Sequence, residues 1–477
     1  MKFPTKMYID GMLVDGEGQV DVVNPATDKV VATVAAAGLQ DVDRALKAAK
    51  SAAAGWAATP IAQRQDWMHK LREEIIAHEE FLRACVHHEM GKPWGGTQED
   101  FDLLERSLQF YAEEIARKHD ETIIDRDGSH EHKLVYEPVG VAVAYLAWNF
   151  PLLNLAYKIA PAMAAGCPII IRPSAATPVS AYAVGALCEK IGLPRGVVNI
   201  LTTEGYVPSD ALAASPVPSL ITLIGSTNTG KHLMKVGATS IKRYSMELGG
   251  NAPVLVFNDA DLDLAADIVT LIKFNNAGQI CVAPNRVFVE ADVLDAFTEK
   301  VVARAKGAVV GFDRNLPVLT GPLIDARAWK RVKSLIDDAV GRGANLLAGG
   351  DRPSHLPSGH FIAPTVLSGV TKDMEIYREE IFGPVVSLIP FDDRSSVLDW
   401  ANEGEEGGLS SYIFSRDLAL AEKMARGLRY GEIHINGVKY DIYLPHGGIG
   451  QSGIGHDCSH LALNDYLVVK RVSRSLG

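Results

Sequence analysis

Five cysteines are spread through the 477 residues, and one of them, Cys281, stands in FNNAGQICVAPNR (274–286), a short polar, glycine-containing turn between two apolar runs. A cysteine kept for packing belongs inside a strand or helix. One flanked by turn residues on both sides is placed for access, as a nucleophile must be. A thiol nucleophile needs a donor for the oxyanion that its attack creates and, where the adduct is hydrolysed, a base for water. AWNFP (147–151) sets Asn149 directly after a β-rich run, where its amide N–H can be that donor or can cap the helix that Pro151 opens. MELGG (246–250) sets Glu247 between an apolar residue and a glycine pair. It can be the base, or an ordinary surface carboxylate.

A second feature suits phosphate. LIGSTNTGK (223–231) ends a strand-like run and opens a helical one, so the backbone N–H groups of Gly225 and Ser226 can form an anion site for a pyrophosphate. A plain helix cap by Ser226 or Thr227 explains the same residues equally well. The stretch matches a P-loop only loosely, because Lys231 lacks the required glycine spacing and no Ser or Thr follows it. GIGQSG (448–453) satisfies G-x-G-x-x-G letter by letter, but the segment after it is too short for a βαβ unit and reads as loop and strand. It is expected to be a flexible glycine loop. Cys85, Cys167, Cys188, Cys281 and Cys458 are odd in number, widely spaced and free of C-x-x-C, which excludes a disulfide framework and a zinc knuckle. His87–His88 and His130 with His132 lack ligating partners at helical spacing, so no metal is expected.

The elements that must hold these side chains alternate in type. Residues 39–118 read as helical from apolar positions at three- and four-residue steps, and 120–133 as a loop or edge segment. From Val139 strands and helices alternate: VAVAYLA (141–147), a helix over 152–165, PIIIRPS (168–174), a helix over 178–191, VVNIL (197–201), LITLIG (220–225), then a helix after Ser226. Such alternation makes a parallel sheet whose ligands lie beyond the carboxyl ends of the strands. A second alternation begins near Ala252 with APVLVF, NRVFVE and a helix from Asp292, and runs to about Ile435; the paired glycines of MELGGNAP (246–253) suit the junction. LNDYLVVKRVSRSL (463–476) is apolar and β-rich but stands alone. It must pair with the segment around 121–137 or with a neighbouring subunit, so an oligomer is expected.

Composition sets the outer bounds. The length argues for two or three domains, and 47% hydrophobic with 22% charged residues is the make-up of an ordinary globular protein. A formal charge of −11 without a basic block argues against a nucleic-acid surface. MKFPTKMYIDGMLV lacks the apolar core of a signal peptide and no run of about 18 apolar residues occurs, so the expected location is the cytoplasm, without membrane contact.

Taken together, AWNFPLLNLAYKIAPAMAAGCPIIIRPS, LIGSTNTGK, MELGGNAPVLVFNDADLD, FNNAGQICVAPNR and EEIFGPVV (379–386) stand in the order and at the spacing of the aldehyde dehydrogenase superfamily. The chain resembles that family over essentially its whole length. The resemblance implies an α/β fold of two parallel-sheet α/β domains and a small β oligomerisation element. Residues 1–119 and 139–249 would bind NAD or NADP, 250–455 would carry the nucleophile, and 120–138 with 456–477 would assemble a homodimer or homotetramer. It further implies that Cys281 forms a thiohemiacetal with an aldehyde, its oxyanion held by Asn149 and the Cys281 N–H. Loss of hydride to the nicotinamide leaves a thioester, which water activated by Glu247 hydrolyses. Glu380 would hold the nicotinamide ribose and Phe382 would pack beside the nicotinamide. Trp148, Gly225, Ser226, Gly249 and Ser174 would complete the cofactor site. Relatives that pass the acyl group to coenzyme A typically lack the carboxylate at Glu247, so a free acid is the implied product.

Three departures from the family pattern bear on specificity. The strand end that usually reads Lys-Pro-Ser or Lys-Pro-Ala and then Glu is here Arg172-Pro173-Ser174-Ala175. The usual acceptor for the adenosine ribose is missing, and Arg172 can pair a 2′-phosphate in a fork, so either dinucleotide is expected. The late loop reads SGIGHD, with Asp457 where relatives often carry a glutamate. Where enzymes similar to succinate-semialdehyde dehydrogenase place arginines for a substrate carboxylate, this chain has Tyr157 and Asn275. LPHGG (444–448) places His446 in the substrate-mouth loop, which resembles lactaldehyde dehydrogenases. Asn154, Tyr157, Asn275, Tyr440 and His446 would make a polar mouth for a small hydroxylated aldehyde such as lactaldehyde or glycolaldehyde. The rival readings are a semialdehyde dehydrogenase and a cysteine hydrolase without redox chemistry.

Overall fold

The computed structural model describes residues 2–404 and 407–477. Two large sheets dominate it. The first runs in the order Gly453–Ile454, Arg243–Leu248, Pro218–Gly225, Val141–Tyr145, Ile169–Arg172, Val198–Ile200, Met7–Ile9, Met12–Val14. Its five central strands are mutually parallel, while Met7–Ile9 and Gly453–Ile454 join antiparallel at the flanks. The chain steps outward from Val141–Tyr145 to Ile169–Arg172 and Val198–Ile200, then returns on the other side to Pro218–Gly225. A crevice therefore opens between the carboxyl ends of Val141–Tyr145 and Pro218–Gly225, the point where strand order reverses and ligands are bound in such sheets. The central strands are buried and Val/Ile/Leu/Ala-rich, as a sheet covered on both faces must be.

The second sheet runs Asn345–Ala348, Thr365–Ser368, Val385–Phe391, Arg286–Glu290, Pro253–Val256, Gly408–Phe414, Tyr430–Ile435. All neighbours are parallel except the edge strand Asn345–Ala348. One apolar cluster centred on Phe288, Leu335 and Ile413 and another centred on Val254, Val287 and Phe297 cover its two faces. Both sheets are of the parallel α/β kind that the alternation implied.

Four helices, Leu39–Ala58, Ile61–Ala77, Glu79–Met90 and Thr97–Ile115, fill the span read as helical. The last of them supplies Asp100. This fully buried carboxylate accepts from the N–H groups of Leu152 and Leu153 at 3.2 Å each and pairs with buried Lys92. A negative charge at a helix N-terminus is favourable, and Pro151 suits the first helical position, so helix Pro151–Ala165 starts where Asn149 needs it to start. Gly166, at φ 89°, ends it.

Strands Glu121–Ile124 and His130–Pro138 build a three-stranded sheet with Leu467–Ser475, so the late strand pairs with the segment around 121–137, one of the two partners the sequence offered. Two details differ from the reading of the sequence. The late segment read as β-rich, 463–476, opens instead in the last turn of helix Ser459–Tyr466, whose Ala462, Leu463 and Tyr466 pack into the first core. GIGQSG is not a free loop: Ser452 is buried and donates to the Gly249 carbonyl at 2.9 Å, and Gly453 pairs with Glu247. The N-terminal strands and the hairpin of Gly18–Asn24 with Lys29–Ala36 had no counterpart in the sequence reading. Among the described residues no helix is long and apolar enough to cross a membrane.

Candidate active site

Between the two sheets lies a cavity of about 780 Å³. It is reached from the carboxyl ends of Val141–Tyr145 and Pro218–Gly225 on one side and from the segment after helix Leu262–Phe274 on the other. That segment is unusual in backbone. Asn276, Ala277 and Gly278 take φ values of 49°, 54° and 70° in succession, and each left-handed non-glycine residue costs about 1–2 kcal/mol. Buried amides hold the run in place. Asn276 Nδ2 donates to the Asn149 carbonyl at 3.0 Å, and Gln279 Nε2 donates to the Asn276 and Pro322 carbonyls at 2.9 and 3.2 Å. Gln279 Oε1 in turn accepts from the Ile324 N–H at 2.9 Å. The product of this strain is the position of Cys281, half-buried on the cavity wall while the other four cysteines are buried.

Asn149 follows strand Val141–Tyr145 and is buried. Its Nδ2 donates one hydrogen to the Gln279 carbonyl at 3.0 Å, two residues before Cys281, and its Oδ1 accepts from Asn154 Nδ2 at 3.3 Å. An amide nitrogen carries two hydrogens, so one remains unassigned on a residue that lines the same cavity as Cys281. Glu247, near the end of strand Arg243–Leu248, is buried rather than on the surface, and its Oε1 has no hydrogen-bond partner. Cys281, Glu247 and His446 bring their sulfur, carboxylate and ring-nitrogen atoms within 4.8 Å of one another. Burial, and next the Glu247 carboxylate, push the Cys281 thiol up, with His446 acting the other way.

His446 sits deeper than a mouth residue. Its Nδ1 is 2.6 Å from Glu432 Oε1 and its Nε2 is 3.6 Å from Glu247 Oε1, an ion-pair rather than a hydrogen-bond separation. Burial alone would lower the imidazole, but Glu432 first, then Cys281 and Glu247, raise it well above the ordinary value. Burial alone would raise the Glu432 carboxyl, yet His446 and His434 draw it down to about 2.

On the cofactor side the cavity is lined by Trp148, Gly225, Ser226, Gly249, Glu380 and Phe382. Trp148 and Phe382 meet edge to face with ring centroids 5.6 Å apart. Ser226 caps helix Thr227–Gly237 by accepting from the Thr229 N–H at 3.2 Å. The Glu380 carboxylate packs against Gly249 so closely that a Cβ there would lie 2.5 Å from its Oε2, and its Oε1 is buried without a partner. Burial lifts this carboxyl to about 7. A buried acceptor with nothing to accept from, beside a glycine cradle and a helix start, fits a ligand rich in hydroxyls and phosphate. Arg172 and Ser174 are not brought to this cavity. Both lie at the carboxyl end of Ile169–Arg172, where the Arg172 Nε and Nη2 each donate to Thr203 Oγ1 at 3.2 Å and Ser174 Oγ accepts from the Ala176 N–H at 3.3 Å.

Asn154, Tyr157, Asn275 and Tyr440 line the remaining wall, with Tyr440 Oη 2.9 Å from Tyr412 Oη. The sequence reading missed Glu432, His434, Asn276 and Gln279. Glu432 and His434 had a visible signal: in GEIHIN they alternate with apolar residues, so they share one face of strand Tyr430–Ile435. Asp457, which stands where relatives often carry a glutamate, pairs through Oδ1 with buried Lys158 at 2.5 Å.

The model of a family described as the aldehyde dehydrogenase family matches residues 13–472. The 3-sulfolactaldehyde dehydrogenase of Pseudomonas putida is 37% identical over 468 residues, which are 98% of this chain and 96% of that one. An Escherichia coli structure described as an NADP dependent enzyme superposes with a TM-score of 0.96 at 34% identity, covering 99% of this chain and 98% of that chain. The betaine aldehyde dehydrogenase of Staphylococcus aureus in complex with NAD+ superposes with a TM-score of 0.94 at 32% identity, covering 99% and 94%.

Proposed function

The chain belongs to the aldehyde dehydrogenase family and is an NAD(P)-dependent oxidoreductase; from that premise we propose that it converts a small hydroxylated aldehyde, such as lactaldehyde or glycolaldehyde, into the carboxylic acid. The observation that carries the substrate class is the cavity wall. It offers the neutral polar groups of Asn154, Tyr157, Asn275 and Tyr440, and among the described residues no arginine lines it. Lys439 lines it as well, but its ammonium is mostly exposed and 3.4 Å from Asp441. An anionic tail, as on a semialdehyde, would find no bidentate cation on this wall to hold it. A substrate hydroxyl would find both donors and acceptors.

In this mechanism Cys281 attacks the carbonyl carbon, and the second Nδ2 hydrogen of Asn149 holds the oxyanion where charge develops. Trp148, Phe382, Gly225, Ser226, Gly249 and Glu380 would hold the dinucleotide, which when bound supplies the hydride acceptor. Oxidation of the thiohemiacetal leaves a thioester on Cys281. Glu247, buried and with its Oε1 unpartnered, then takes a proton from water as it adds to the acyl carbon. Breaking the C–S bond frees the acid and restores the sulfur. Arg172 stands outside the cavity, so a preference for the 2′-phosphate rests on whether its guanidinium leaves Thr203. Part of the same proposal are a cytoplasmic location and a homodimer or homotetramer built on the three-stranded sheet, whose outer strands expose Ile123, Ile124, Val469 and Val472.

The test is the initial rate of reduced-nicotinamide formation with lactaldehyde, glycolaldehyde, propanal and succinate semialdehyde, each with NAD and NADP, beside Cys281→Ala. The hydroxylated aldehydes should give the highest kcat/KM and the variant none. Faster turnover of propanal or of the semialdehyde would reject the substrate class while leaving the reaction intact.

A further inference from the structure

His446 and Glu432 have no part in the mechanism above, yet they complete a chain of contacts that ends on the nucleophile. Glu432 and His434 project from strand Tyr430–Ile435 with Oε2 and Nε2 3.7 Å apart. His446 comes from the loop after that strand, and its backbone is clamped to Asp457 by two hydrogen bonds of 2.8 and 2.6 Å. With the backbone pinned and Nδ1 held by Glu432, Nε2 is left facing Cys281 and Glu247. The order is carboxylate, imidazole, thiol, three groups from three separate segments.

We propose that Glu432 and His446 hold Cys281 as a thiolate in the resting enzyme, His446 taking the thiol proton at Nε2 and Glu432 positioning the ring through Nδ1–H. This rests on the reading of Cys281 as the aldehyde-attacking nucleophile. A half-buried thiol facing the Glu247 carboxylate has reason to keep its proton, since burial and that charge both favour the neutral form. A cation against the sulfur is what reverses this. Of the basic groups on the cavity wall among the described residues, Lys439 pairs with Asp441 and His434 stacks on Tyr412 at 5.2 Å between centroids, so only His446 is set against Cys281. The groups facing His446 agree in sign. Glu432 comes from the second sheet, Glu247 from the first, and Asp457 from the late loop, where it is already paired with Lys158. The rings of Tyr157 and Tyr440 lie 6.1 and 6.2 Å away.

The proton balance is closed. The S–H bond breaks and its proton moves to Nε2. The sulfur lone pair forms the C–S bond, and the carbonyl π pair moves to oxygen near Asn149. The oxyanion pair then re-forms the carbonyl as hydride is lost to the dinucleotide that the established reaction uses. Water displaces the resulting acyl group, its proton goes to Glu247 and on to solvent, and the C–S pair returns to sulfur, which again faces the imidazolium. Two carboxylates thus divide the work: Glu432 keeps the imidazole charged, and Glu247 stays free for water. His446 is then a catalytic residue and Glu432 a positioning residue.

The test reads the thiol alone, so it is independent of whether the right aldehyde has been found. The intact protein, without aldehyde or dinucleotide, is alkylated with iodoacetamide between pH 5 and 10, with the modified cysteine located by mass spectrometry and thiolate absorbance at 240 nm recorded beside it. Wild type should alkylate Cys281 with a plateau that persists below pH 7, in the range about 3.5–7.5 found for thiols beside a cation. Glu432→Gln should move the inflection up by about one unit or more and slow alkylation at pH 7 about tenfold. His446→Asn should move it to or above about 8.5, the value of a free thiol, and Glu432→Asp should recover part of the loss. Wild type with an inflection above about 8.5, or all variants titrating as wild type, would overturn the proposal. Loss of fold in Glu432→Gln would leave His446→Asn and Glu432→Asp to decide it.

Discussion

The pair Lys92–Asp100 lies under the start of helix Pro151–Ala165, and the Lys92 Nζ sits 3.3 Å from the centre of the Phe150 ring, next to Asn149. Lys92→Met removes the cation and leaves Asp100 buried, still accepting from Leu152 and Leu153. Removing one partner of a buried pair costs about 3–5 kcal/mol, a large share of a stability of about 5–15 kcal/mol. Burial raises the Asp100 carboxyl and Lys92 lowers it, so the variant's carboxyl rises further. A folded-state value above the unfolded one means that the folded state keeps a proton that the unfolded state releases. Stability of Lys92→Met therefore grows as pH falls from 8 towards 5, by up to about 1.36 kcal/mol per unit, more steeply than in wild type. Lys92→Met with Asp100→Asn keeps an acceptor for the two helix N–H groups and discards the charge, so it should return to within about 1.5 kcal/mol of wild type. Equilibrium urea unfolding at four pH values, followed by fluorescence and circular dichroism, measures all three. A single variant that loses less than about 1 kcal/mol, with the pH profile of wild type, would refute the account of a dry pair anchoring the helix.

Three further outcomes are expected. Because Glu380 is lifted to about 7 and hydroxyls donate to its ionised form, dinucleotide binding should weaken as pH falls from 8 to 5.5. Glu380→Gln should bind about tenfold or more weakly with a flat profile, read by fluorescence titration. Gly278→Ala would bring a Cβ to 2.3 Å from the Gly383 carbonyl at a φ of 70°, so it should lose about 2 kcal/mol or more on thermal melting and most of kcat. Val469→Asp with Val472→Asp, on the exposed strand Leu467–Ser475, should lower the oligomer mass by light scattering and leave the monomer folded.

What the sequence made legible was what depends on local pattern. The alternation of apolar strands and helices announced both parallel sheets, and the turn residues around Cys281 announced an accessible thiol. Asn149, just after a strand, and Glu247, beside a glycine pair, were candidates that the sequence could equally read as a helix cap and a surface carboxylate; their burial on the cavity wall is what the fold adds. The geometry around His446 was not legible, because its partner Glu432 is 14 residues away and the contact depends on how the intervening loop folds back. Residues 463–466 were read as β because their apolar residues run on into Leu467–Ser475, and only packing against the first core makes them the end of helix Ser459–Tyr466. The role of Gln279 was hidden for a related reason: a buried amide is informative only once its carbonyl partners are known.

The three-stranded sheet has a consequence for how the protein is made. Strand His130–Pro138 pairs along its whole length with Leu467–Ser475, and Glu137 and Lys470, which meet across the two strands, are 333 residues apart. At about 5–20 residues per second, the ribosome delivers the second strand some tens of seconds after the first. Throughout that interval the earlier strand presents an unpaired edge on one side, and Gly453 has yet to reach Glu247. Until the later strand arrives, that edge is open to pairing with another chain, so the interval of synthesis is when this sheet is most exposed to mispairing.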